Sequence, residues 1–161
     1  MDSKSKSFPK KLYACWHPVV FSQEIKADKP FGTILLDEPV VIWRTSDGTP
    51  YAMRDLCIHR GTALSLGWIE NDCLVCPYHA WQYDKNGACV LIPQAKEIEI
   101  PSKAKTPRYH CQEKFGIICS NIAVVGITSF NFMGAIPSSS ITVPLPTTDT
   151  TLHHLYVVLP R

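Results

Sequence analysis

Between about residue 12 and residue 121, short apolar or alternating runs recur, each cut off by Gly, Pro, Asn or Asp, and no stretch sustains a helical period with caps at both ends. The pattern predicts strands at 12–16, 32–36, 38–44, 50–55, 73–75, 81–83, 89–92, 109–114 and 116–120. Asp47-Gly48 and Asn86-Gly87 are the strongest hairpin turns. The first lies between Val41-Ile42-Trp43 and Tyr51-Ala52-Met53, the second between Trp81-Gln82-Tyr83 and Cys89-Val90-Leu91. An all-β domain is expected.

Composition agrees. The chain has 161 residues, 45% hydrophobic and 19% charged, enough for one domain with a real core. A net charge of +2 gives no footprint for nucleic acid. No apolar run reaches the roughly 20 residues of a membrane span, and Met1-Asp2-Ser3-Lys4-Ser5-Lys6 lacks the apolar centre of a signal peptide. A cytoplasmic, intracellular protein without a membrane span is the expectation. Seven cysteines, an odd number, do not suggest a disulfide framework.

The candidate chemistry lies in Cys57-Ile58-His59-Arg60-Gly61 and Cys76-Pro77-Tyr78-His79-Ala80-Trp81, with sixteen residues between His59 and Cys76. Each segment offers one thiolate and one imidazole, and both fall where a predicted strand runs into a loop. A Rieske-type [2Fe–2S] cluster needs this inventory, Cys57 and Cys76 on one iron and His59 and His79 on the other. Neutral imidazoles in place of two thiolates make such a cluster easier to reduce, at roughly −150 to +300 mV against about −400 mV for plant-type ferredoxins. A structural zinc module with the same four ligands is the alternative from another class. Zinc fingers, however, pair cysteine with cysteine before a separate histidine pair. A Cys73-x-x-Cys76 dithiol would leave His79 without a role. The remaining cysteines, Cys15, Cys73, Cys89, Cys111 and Cys119, are expected to act as small buried hydrophobes.

Gly61, Pro77 and Trp81 suit support of such a cluster, by close backbone approach, a stiff loop and an apolar wall. Arg60 follows a ligand directly and suits either partner docking or plain solvation. His17 and His110 read as ordinary half-buried histidines. Lys103, Lys105, Arg108 and Lys114 form a basic stretch that suits an acidic redox partner or a solvated strand edge.

From residue 12 to residue 121 the chain resembles the N-terminal Rieske domain of the Rieske non-haem iron oxygenases. The likeness is carried by Trp16-His17-Pro18-Val19-Val20-Phe21-Ser22, the hairpin from Leu35-Leu36 to Val41-Ile42-Trp43-Arg44, and His59-Arg60-Gly61 followed by Leu64-Ser65-Leu66-Gly67. Trp81-Gln82-Tyr83-Asp84 leading to Gly87 extends it. Ile92-Pro93-Gln94 looks most like the pheophorbide oxygenase-like and ring-hydroxylating branch. Ala80 departs from the family's glycine; if that position needs positive φ, alanine costs about 1 kcal/mol. The extra loop cysteines of respiratory-type Rieske proteins are missing, since Gly61, Thr62 and Tyr78 stand there.

The resemblance implies an antiparallel β-sandwich with a cluster-binding subdomain. It implies an electron arriving from a ferredoxin or flavin reductase and leaving to the mononuclear iron of an oxygenase catalytic centre. That iron is held by two histidines and a carboxylate. Residues 122–161 offer only the adjacent His153 and His154, together with Asp149, and neighbours on a strand face opposite ways. The expected organisation is therefore a polar tail at 1–11, a Rieske domain at 12–121 and an atypical Ser/Thr/Pro-containing tail at 122–161. That last part reads as the remnant of a truncated or frame-shifted oxygenase rather than the tail of a stand-alone Rieske ferredoxin. Electron transfer without oxygenation is the function expected of these residues.

Overall fold

The computed structural model describes residues 8–95, 97 and 99–123. The expectations for 124–161, including His153, His154 and Asp149, lie outside the described residues, as do those for residues 1–7.

Among the described residues, ten strands form two antiparallel sheets. The larger contains β1 (His17–Phe21), β2 (Phe31–Leu35), β3 (Glu38–Arg44), β4 (Pro50–Arg54), β9 (Arg108–Lys114) and β10 (Ile117–Asn121), in the order β1-β10-β9-β4-β3-β2. The smaller contains β5 (Trp68–Glu70), β6 (Cys73–Val75), β7 (Gln82–Tyr83) and β8 (Cys89–Leu91), in sequence order. This two-sheet, antiparallel, all-β architecture is the expected fold class.

The centre of the larger sheet is β3, where Val40, Val41, Ile42 and Trp43 are all fully buried. The period-two geometry of a strand sends them to two cores. Val41 and Trp43 join Met53, Leu64, Leu74, Tyr83 and Cys89, with Cys57 and Cys76. Val40 and Ile42 join Val20, Ile25, Ala52, Tyr109, Ile118 and Ile122 on the opposite face. A strand buried on both sides reads as a continuous apolar run, and each such side chain contributes about 1.5–3 kcal/mol by burial. The first core lies under the segments that follow β4 and β6.

Three expectations need correction. Residues 12–16 form no strand: a helix, α1, spans Lys10–Tyr13 and the chain turns extended only at His17. Pro9 supplies a fixed φ of −52° before Lys10, and 10–13 contain no β-branched residue, whereas Val19 and Val20 lie in β1. Cys15 is exposed, with its thiol against the Lys11 carbonyl at 3.3 Å, and Cys73, Cys111 and Cys119 are only half-buried; Cys89 is the one of the five that is buried. Finally, the basic stretch is not one patch. Arg108 begins β9 and Lys114 ends it, about 20 Å apart at the rise of an extended strand. The Arg108 guanidinium donates to Asn86 Oδ1 at 3.0 Å and lies 5.7 Å from the centre of the Tyr51 ring.

Candidate metal centre

Two loops built alike carry the predicted site residues. After β4, Cys57 N donates to Thr62 O at 2.8 Å and Gly61 N donates to Cys57 O at 2.9 Å. After β6, Cys76 N donates to Trp81 O at 2.9 Å and Ala80 N donates to Cys76 O at 3.0 Å. Each six-residue loop thus closes on its own first residue, and each has its fifth residue in the left-handed region, Gly61 at φ +72° and Ala80 at φ +57°. Position five donates back to the carbonyl of the cysteine and turns the chain so that the carbonyl of position six meets the cysteine N–H, a reversal that a left-handed residue provides. Ala80 therefore occupies the conformation that the family's glycine suits, at a cost of about 1 kcal/mol.

The loops set all four candidate donors in one place. Cys57 and Cys76 are each 2% exposed. The imidazoles of His59 and His79 lie side by side, ring centres 4.7 Å apart and planes inclined by 56°. Trp81 stacks flat on His59 at 4.6 Å and 2°, so a side chain of the second loop packs on a candidate ligand of the first. Tyr78 lies 3.9 Å from the His79 ring. Gly61, Pro77 and Arg60 are exposed, as are Ile58 and Tyr78, so the imidazole side of the site faces outward while the thiols face the core. His17, by contrast, bonds the Leu12 carbonyl at 2.8 Å through Nε2, and His110 packs edge-on against Trp16. Neither approaches the site.

Burial pushes the Cys76 thiol up from its ordinary pKa, and the neighbouring Cys57 adds to this, while the backbone N–H groups of Tyr78 and His79 donate toward the sulfur and oppose it. His59 is held below the usual imidazole range, first by loss of hydration and then by the charges of His79 and Arg60. The neutral imidazole is ready for metal, whereas the raised thiol holds its proton until metal displaces it. Metal binding displaces the thiol proton and needs the neutral ring. The Nδ1 atom of His79 is buried with no hydrogen-bond partner, a ring nitrogen free for a metal bond. Two buried thiols and two imidazoles, one with an unpartnered nitrogen, fit a mixed sulfur–nitrogen iron site.

Two contributors were not apparent from the sequence. Tyr83 on β7 is fully buried, and its hydroxyl accepts from Ile58 N at 3.2 Å while lying 3.1 Å from Cys57 Sγ. Burial drives its phenol pKa strongly upward, so it stays protonated and can donate to that sulfur. Gln94, in the short turn Pro93–Ala95, donates to the His79 carbonyl at 2.9 Å. A buried tyrosine always asks for a partner, but the sequence does not say which.

Two antiparallel sheets whose matched loops present paired thiols and imidazoles define a metal-binding β-domain of the iron–sulfur class. The chain belongs to the Rieske [2Fe-2S] domain family, whose signature matches residues 15–109, and its cofactor is accordingly a Rieske-type [2Fe–2S] cluster. It is 43% identical over 108 residues to the methylxanthine N1-demethylase NdmA of Pseudomonas putida, covering 64% of this chain and 30% of that protein. It is 34% identical over 103 residues to the chloroplastic chlorophyllide a oxygenase of Arabidopsis thaliana, covering 64% of this chain and 18% of that one. The solved structure of Pseudomonas putida NdmB superimposes with a TM-score of 0.67 at 34% identity, over 71% of this chain and 36% of that one. The chain spans about a third or less of the length of these relatives. Among the described residues no helix is long and apolar enough to cross a membrane.

Proposed function

We propose that Cys57 and Cys76 supply the thiolate ligands, and His59 and His79 the imidazole ligands, of the Rieske cluster. The domain would then serve as the electron-transfer module of a Rieske-type oxygenase. When bound, the cluster supplies a one-electron ferric/ferrous couple. The observation that carries the reading is the pair of matched loops, each placing one buried cysteine below one outward imidazole. Trp81 shields the His59 ring, Tyr83 donates to Cys57 Sγ, and Gly61 and Ala80 give the loops their closure. Pro77 stiffens the second loop, and Arg60 stands exposed beside His59, available to a partner.

Zinc in the same four residues is the less favoured reading. A single tetrahedral ion needs its donors converging on one point. Here the two thiols are buried toward the core and the two imidazoles lie side by side facing outward, and donors arranged as a sulfur pair and a nitrogen pair suit two metals instead.

The electron donor in this reading is a ferredoxin or flavin reductase, and the acceptor is the mononuclear iron of an oxygenase catalytic centre. Residues 12–121 transfer electrons and do not themselves activate oxygen. Visible absorption and low-temperature EPR of anaerobically purified protein, with iron, sulfide and zinc quantified on the same sample, test this. About two irons and two sulfides per chain with a Rieske-type signal on reduction are expected. Stoichiometric zinc, or a cluster that survives both Cys57→Ala and His79→Ala, overturns it.

A further inference from the structure

The loop bearing Cys57 and His59 is held shut from outside by a contact that the proposed ligands do not use. Asp55 follows β4 directly and is 9% exposed, yet it commits both carboxylate oxygens to one residue. Ser65 N donates to Oδ1 at 2.7 Å and Ser65 Oγ donates to Oδ2 at 2.6 Å. These two residues flank the loop, Asp55 just before Cys57 and Ser65 just after Thr62. Ser65 is itself fixed, because it sits in the 3-10 turn Leu64–Leu66 whose Leu64 is fully buried in the core beneath the thiols. Asp55 is fixed from the other side by its N–H, which donates to Pro39 O at 2.9 Å.

A third element closes on the same point. A Cβ on Gly32 of β2 would fall 2.5 Å from Ser65 Oγ, 2.7 Å from Ser65 Cβ and 3.3 Å from Asp55 Oδ2. Gly32 is therefore required for room, since any larger residue pushes the serine off the carboxylate. A charge-assisted, two-point contact built from β2, the end of β4 and a buried turn is more than a solvated aspartate needs.

We propose that Asp55, with Ser65 and Gly32, is a positioning residue that locks the Cys57/His59 loop and so governs how tightly the cluster is retained. The proposal rests on the reading of Cys57 and His59 as ligands. Among the described residues the second loop has no such carboxylate lock; the side-chain hydrogen bond to its backbone comes from the exposed Gln94. Losing a hydrogen bond to a charged group is large enough to be read in a rate of cluster loss.

The test is the half-life of the cluster in the holoprotein under an iron chelator, with EPR line width recorded before the challenge. Asp55→Ala, Ser65→Ala and Gly32→Ala are compared with Asp55→Asn and with a control outside the lock, Tyr109→Phe. Tyr109 is buried in the opposite core and donates to Glu38 Oε1 at 2.7 Å, and Glu38 also pairs with Arg54 next to Asp55, so loss of the Tyr109 hydroxyl weakens the fold beside the lock while leaving both Asp55–Ser65 hydrogen bonds in place. Half-lives shortened at least about tenfold, with broadened lines, are expected for Asp55→Ala and Gly32→Ala, matching loss of a charged hydrogen bond. Asp55→Asn keeps an acceptor for Ser65 N and gains a donor for Ser65 Oγ, so an intermediate value is expected, and the control should change less than about twofold. Ser65→Ala, which removes only the hydroxyl arm, reads the same effect if Asp55→Ala does not fold. Asp55 and Gly32 variants, or Ser65→Ala in their place, that lose the cluster no faster than Tyr109→Phe overturn the lock and leave the ligand reading standing. A wild-type protein without the Rieske signal overturns both.

Discussion

At the scale of single residues, Tyr83 is the group whose removal reports most directly on the site. Its hydroxyl already accepts from Ile58 N, so its own proton is available to Cys57 Sγ at 3.1 Å. A donor to a ligand thiolate stabilises the more negative, reduced state. Tyr83→Phe should therefore leave the cluster in place and lower its potential by about 60 mV, the one-electron equivalent of a hydrogen bond worth ~1.4 kcal/mol. An unchanged midpoint in a spectroscopic redox titration would show that the proton points elsewhere. Ala80 makes the complementary case on the backbone: at φ +57° it carries strain that glycine does not, so Ala80→Gly should stabilise the cluster-free protein by about 1 kcal/mol in urea unfolding. Gly61→Ala, at φ +72°, should destabilise it by a similar amount. Two thiols and two imidazoles as candidate donors were legible from spacing and residue type, whereas the question of positive φ at position 80 was raised by the family resemblance, and the backbone there is left-handed. Tyr83 was not, since its role depends on a partner 26 residues away that only the packing of β7 under the first loop brings near.

The elements divide in the same way between what local chemistry declares and what tertiary pairing decides. Glu38–Arg44 and Cys73–Val75 were readable to the residue, being apolar runs with clear ends. By contrast β5 escaped notice, because it is three residues long and turns into β6 through Asn71-Asp72, both at positive φ with no glycine to mark the hairpin. The β9–β10 turn uses Phe115-Gly116 at φ +53° and +73°, with phenylalanine where asparagine is preferred, and Phe115 is 73% exposed. A turn with two left-handed residues prefers Asn-Gly, so Phe115→Asn should raise stability by about 0.5–1 kcal/mol, measured as an increase in Tm. The same hairpin carries a pH response. Burial pushes the Cys111 thiol from 9.0 up to about 12, with Cys119 adding and Arg44 and Arg108 opposing. Above about pH 9 the unfolded chain releases this proton and the folded chain keeps it, so the contribution is complete below that pH and fades toward pH 12. Urea unfolding of cluster-free protein should thus weaken from pH 8 to pH 10.5, and Cys111→Val should flatten the decline. Parallel curves for the two proteins would assign the loss to other groups.

At the scale of the molecule, the order of strands fixes where the domain can be cut. The last strand among the described residues, β10, is not at an edge: it pairs with β1 through His17↔Ser120 to Phe21↔Ile117 on one side and with β9 through Ile117↔Lys114 to Asn121↔His110 on the other. Its Ile118 is fully buried and the following Ile122 is 5% exposed in the same core, one residue beyond the domain end that the sequence suggested. The segment before β1 is tied to this strand as well, since Asn121 Nδ2 donates to Ala14 O at 2.9 Å. Both cluster loops, both cores and every strand described above lie before Ala123. A chain ending at Ala123 should therefore keep the visible and EPR spectra of the full-length protein. One ending at Gly116 should lose them, because β1 is then left without its partner among the described strands and Tyr109 is stripped of its cover. Leaving five residues of β1 unpaired and deleting the buried Ile118 and Ile122 from their core removes several kcal/mol, a large share of the 5–15 kcal/mol that holds a typical domain. Spectra that change on cutting at Ala123 would mean that residues 124–161 support the cluster directly. Spectra that survive the cut at Gly116 would mean that the four-stranded sheet and its two loops assemble the site without the larger sheet.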